Sequence, residues 1–74
     1  MRHAQLTVID SNSAEHPPGS RVEASSNAHG LAEIAGHEVE DVTYYARQHY
    51  VKIQTALGYQ FTVSLSDYHL LIAE

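Results

Sequence analysis

The sequence has no cysteine and no tryptophan, only two prolines and only four basic residues, and each shortage removes a class of answer. Without cysteine there is neither a disulfide framework nor a thiolate metal site, and the chain suits a reducing compartment. The longest apolar run, Leu70-Leu71-Ile72-Ala73, falls far short of the ~20 residues that cross a bilayer. Met1-Arg2-His3-Ala4-Gln5-Leu6 lacks the continuous apolar stretch of a secretory signal, so a cytoplasmic protein without membrane contact is expected. The glycines at 19, 30, 36 and 58 are too scattered for a dinucleotide or phosphate loop. No Gly-x-Ser-x-Gly elbow and no His-Glu-x-x-His pair occurs.

What is present is acidic. Nine carboxylates oppose four cations, a formal charge of −5. That balance repels phosphate backbones, so direct nucleic-acid binding is not expected. It suits a partner with a basic surface instead. The chain also has six histidines, the side-chain type that switches charge nearest physiological pH. Seventy-four residues make a single domain, 1–74. A chain of this size buries only roughly 60% of its unfolded surface and often depends on a partner or other staple.

The pattern along the chain predicts an α+β fold. Ala4 to Ile9 reads as a strand and Arg21-Val22-Glu23-Ala24 as a short second one. Between them, an exposed loop at about 11–20 contains His16-Pro17-Pro18-Gly19, which fits neither a helix nor a central strand. Ser25-Ser26-Asn27 offers helix caps, and Ala28, Leu31, Ala32 and Ala35 recur at helical spacing before Gly36, predicting a short helix near 27–36. Residues 37–46 satisfy both periods; their β-branched and aromatic content favours a strand. Val51, Ile53 and Thr55, then Tyr59, Phe61, Val63 and Leu65, alternate around Leu57-Gly58, which marks a 49–65 hairpin. Ser66 or Asp67 can cap a last helical turn carrying Tyr68, Leu70, Leu71 and Ile72. The expected architecture is a small antiparallel sheet of three to five strands with these one or two helices on one face.

Reaction chemistry finds little support. His29, Glu33 and His37 stand at i, i+4 and i+8, which on a continuous helix would stack two imidazoles and a carboxylate for zinc. Gly36 would end that helix first, and a solvent-facing row explains the same spacing. Glu38, Glu40 and Asp41 read as a solvated acidic run rather than an acid–base pair. The serines sit in caps and turns, and a thin core leaves little room for a substrate pocket. No catalytic residue, resident metal or cofactor is expected, and the chain reads as a protein that is not an enzyme.

The binding signal is aromatic. Tyr44, Tyr45, Tyr50, Tyr59 and Tyr68 crowd into 25 residues with Arg47, His49 and Lys52 among them. Tyrosine and arginine dominate interaction hot spots, because they offer area and a polar tip at low entropic cost. If Tyr50, Lys52 and Gln54 share the outer face of the hairpin, they form a mixed patch beside the acidic group Glu33, Glu38, Glu40 and Asp41. The candidate partner-binding set is therefore Glu33, Glu38, Glu40, Asp41, Tyr44, Arg47, Tyr50 and Lys52. In size, acidity, lack of cysteine and lack of catalytic signatures, the chain resembles the small inhibitors encoded by phages and mobile elements, anti-CRISPR proteins included. The resemblance matches no motif and carries over no residue. The leading expectation is a binding protein that occupies a surface of a protein or ribonucleoprotein complex, such as a host-defence machine. A homodimeric regulatory or accessory protein, such as a small antitoxin, and a histidine-dependent metal protein are the alternatives.

Overall fold

The computed structural model describes residues 2–9, 16–27 and 30–72. Six strands follow one another as an antiparallel meander: β1 (Arg2–Thr7), β2 (Arg21–Asn27), β3 (Gly30–Ile34), β4 (His37–Tyr45), β5 (Tyr50–Thr55) and β6 (Gln60–Ser64), with one helix, α1 (Leu65–Ile72), at the C-terminal end. The sheet curls into a half-barrel. Val8 makes an antiparallel bridge to Val63, so the end of the first strand meets the last. The Ile9 N–H donates to the Thr62 carbonyl at 2.9 Å beside it.

Six strands correct the expectation of three to five, and the correction has one origin. The segment expected as a helix near 27–36 is instead the end of β2, all of β3 and a tight turn; residues 28 and 29 lie outside the described residues. Ala35 and Gly36 both have positive φ, 52° and 80°, the pattern of a two-residue turn whose twist matches antiparallel strands. Leu31 and Ile34, three apart as on a helix face, are both buried here because a bulge sits between them. Leu31 pairs with Ser26 and Glu33 with Ser25, leaving Ala32 as the extra residue. The bulge converts a spacing of three into two residues on the same side of a strand.

The 49–65 hairpin is present as β5 and β6, and residues 37–45 are a strand. At the hairpin tip, Gly58 takes a φ of 93° and donates its N–H to the Thr55 carbonyl at 3.0 Å. The Tyr59 N–H donates to Thr55 Oγ1 at 3.1 Å, satisfying a buried hydroxyl. The short C-terminal helix starts one or two residues before the expected caps. Ser64 Oγ accepts the Asp67 N–H at 3.1 Å, so Ser64 rather than Ser66 or Asp67 terminates the first turn. Of the loop expected at 11–20, residues 11–15 lie outside the described residues. Its remainder turns at Pro17–Ser20, where the Ser20 N–H reaches the Pro17 carbonyl at 3.1 Å and Gly19 supplies a φ of 81°.

The core fills the concave side. Val22, Ala24 and Ile34 from the first half meet Val51, Ile53, Phe61 and Val63 from the second, and Tyr68 and Leu71 of α1 cover them. Phe61 is fully buried and is the largest side chain at the centre. Strand β4 is the corner between the halves. Its start pairs with β3 at only two positions, Glu33 with Glu38 and Ile34 with His37, and its remainder pairs with β5 from Val39 to Tyr45. The register slips between Val39 and Asp41, and Glu40 is the extra residue of this second bulge.

Candidate interaction face

Cross-strand partners share a face of a sheet, so the register assigns every candidate side chain to one side. On the outer face, Asp41, Gln54 and Gln60 form one row, Thr43, Lys52 and Thr62 the next, and Tyr45, Tyr50 and Ser64 the third. Tyr50, Lys52 and Gln54 therefore do share the outer face of the hairpin. The rings of Tyr45 and Tyr50 stack with centroids 4.8 Å apart at 26°. Lys52 Nζ lies 5.8 Å from the Tyr45 centroid, a cation over an aromatic face.

The acidic residues continue the same surface. Glu33 and Glu38 stand directly opposite each other, both exposed. The bulge at Glu40 leaves two carboxylates, Glu40 and Asp41, facing outward opposite the single residue Gln54. Glu23, exposed on β2, extends the row, although the sequence had not marked it. Alternation in Arg21-Val22-Glu23-Ala24, with Val22 and Ala24 buried, was the available signal. Asp41 and Tyr45 are separated by four residues along β4, about 13 Å at strand rise.

Two of the expected residues do not join this face. Tyr44 pairs with Val51 and points to the helix side, where its ring meets Tyr68 edge-on at 5.6 Å and 82°, with the His69 ring 6.4 Å away. It remains half exposed at that rim. Arg47 leaves the sheet in the 3₁₀ turn Ala46–Gln48, exposed beyond Tyr45. The residue that occupies the outer face in place of Tyr44 is Tyr45. Sequence alternation alone could not choose between adjacent tyrosines, because the bulge at Glu40 resets the face of everything after it.

The metal constellation is undone by the strands. Glu33 faces outward with Glu38, whereas His37 pairs with Ile34 on the other face and sets its ring against that of Tyr59, tilted at 41° with centroids 4.7 Å apart. His29 lies outside the described residues. Among those residues no group of three histidines or carboxylates is arranged to hold a metal ion, and no helix is long and apolar enough to cross a membrane.

The outer face carries a stacked aromatic pair at one end and a row of exposed carboxylates at the other. No protein-family profile, no curated protein and no solved structure matches this chain.

Proposed function

We propose that this protein is a non-enzymatic binding module of the cytoplasm whose outer sheet face docks on a basic surface of a larger protein or ribonucleoprotein complex. The observation that supports this reading is the register of β4 against β3 and β5. It gathers Glu33, Glu38, Glu40, Asp41, Tyr50 and Lys52 onto one face and adds Tyr45 to them. The carboxylates suit lysines and arginines that otherwise hold nucleic acid, so a complex with a basic nucleic-acid groove is the partner of matching chemistry, and occupation of that groove would inhibit it. Tyr45 and Tyr50 supply the apolar area that charge alone lacks, since rim charges mainly steer association while buried aromatics hold the complex.

The test is capture of partners on the tagged, nuclease-treated protein against the triple variant Glu38→Lys, Glu40→Lys, Asp41→Lys. Loss of the captured complex with an unchanged circular dichroism spectrum is expected. Tyr45→Ala and Tyr50→Ala should each weaken binding by about 2 kcal/mol, the loss that marks a hot spot. A triple variant that folds and captures the same complex equally well would end this reading.

A further inference from the structure

Lys52 stands in the middle row of the outer face, between two different neighbours. It pairs with Thr43, so its diagonal partners on β4 are Asp41 and Tyr45, one on either side of Thr43. Simple attraction between opposite charges would draw the ammonium to the Asp41 carboxylate. It goes the other way. Lys52 Nζ lies 5.8 Å from the Tyr45 ring centroid, and among the described residues it makes no ion pair. Among those residues it is also the one cation over an aromatic ring; Arg47, exposed in the turn beyond Tyr45, is not so placed.

The position over Tyr45 therefore holds a cation already. Stacking on Tyr50, at 4.8 Å and 26°, fixes the orientation of the ring, and both tyrosines are half-buried on the outer face rather than in the core. The ring quadrupole draws a positive charge, but only weakly at a site open to water. Lys52 thus occupies the position without closing it. Glu38, Glu40 and Asp41 are exposed on the same face, so the charge that approaches it from outside is positive.

From this geometry we infer that Lys52 is a placeholder, a role that rests on the docking reading above: its ammonium fills the position over Tyr45 that an arginine of the protein partner takes on docking. A partner lysine would exchange one ammonium for another and gain nothing by it. An arginine gains. Its guanidinium is planar and weakly hydrated, lies flat on an aromatic ring, and keeps N–H donors free for a carboxylate. The displaced Lys52 has Asp41 on its other diagonal, so its charge is not left without a partner. Lys52 lies on the contact face, yet it competes with the partner instead of holding it.

The test is fluorescence anisotropy of dye-labelled hexa-arginine and hexa-lysine titrated with the full chain. Hexa-arginine should bind about threefold tighter, the ratio that a cation over an exposed ring supplies. Lys52→Met vacates the ring and should tighten hexa-arginine by about threefold again, whereas a lysine that held the partner would weaken it when removed. Loss of one positive charge accounts for part of that gain, and Arg21→Met, exposed on β2, measures that part alone. In Tyr45→Leu the preference for arginine should vanish, and the Lys52→Met gain should fall to the Arg21→Met level. If Tyr45→Leu does not fold, Lys52→Met against Arg21→Met decides. Equal binding of the two peptides overturns the inference, as does a Lys52→Met gain no larger than that of Arg21→Met. Equal binding that the Glu38, Glu40 and Asp41 triple variant abolishes removes the arginine site and leaves the docking face standing. A Tyr45-dependent preference for arginine, with partner capture unchanged in the triple variant, does the reverse. Binding of neither peptide at about 1 mM overturns the inference as well.

Discussion

Tyr68 shows how much rests on single residues in so small a protein. It is 3% exposed, bonded through its hydroxyl to the Tyr44 side chain and to the Leu31 main chain, and so it ties α1 to β3 and β4 at once. Burial and then the Tyr44 contact push its pKa from 10.0 up to about 12, with the Leu31 bond acting in the opposite direction. The unfolded chain releases this proton near pH 10 and the folded one near 12, so between those values the folded state holds more protons. The Tyr68 contribution is complete below pH 10 and is lost as pH rises through 12. Urea denaturation at stepped alkaline pH should show stability falling across that window, and Tyr68→Phe should flatten the decline. At neutral pH, Tyr68→Phe should cost about 1–2 kcal/mol, because it strips partners from a buried hydrogen-bonded cluster.

At the scale of elements, the β3–β4 hairpin was the part least legible in the sequence. Ala28, Leu31, Ala32 and Ala35 fall on one helical stripe, and alanine is the best helix former. The sequence around them also fits a hairpin, with Ala35-Gly36 as its two-residue turn. The hairpin prevails because it lets both Leu31 and Ile34 enter a core that a lone short helix would have covered only in part. Ala35 holds a left-handed φ of 52° at a cost of about 1–2 kcal/mol, which asparagine largely avoids. Ala35→Asn should therefore raise the melting temperature by about 4 °C, read by thermal circular dichroism. The same hairpin sets Glu33 against Glu38, and like charges directly opposite destabilise a sheet. Glu33→Gln should accordingly gain about 0.3 kcal/mol in urea denaturation while weakening capture of the partner.

For the whole molecule, the curl of the sheet decides what is inside. Stability for a chain of this length is of the order of 4–11 kcal/mol. Phe61→Ala, at a fully buried site facing both halves and α1, should remove about 3–5 kcal/mol of it. Far-ultraviolet circular dichroism at physiological temperature should then show a largely unfolded chain. The charge acts at the same scale: binding to a basic partner should weaken steadily as salt rises, because screening acts on the exposed carboxylates. A salt-insensitive interaction would place the contact away from the acidic row.

By itself, the sequence determined the exclusions and the local pattern. The lack of cysteine, the acidic balance, the alternation of 51–65 and the turn at Leu57-Gly58 rest on composition and near-neighbour periodicity, and these act wherever the chain goes. The mixed patch of Tyr50, Lys52 and Gln54 was legible for the same reason, since residues two apart on a regular strand share a face. Tertiary structure decided the sixth strand, the choice of Tyr45 over Tyr44 for the outer face, and the separation of Glu33 from His37. Each of these depends on a bulge or a turn. An extra residue in a strand reverses the facing of all that follow it, and whether a strand admits one is settled by its neighbour across the sheet.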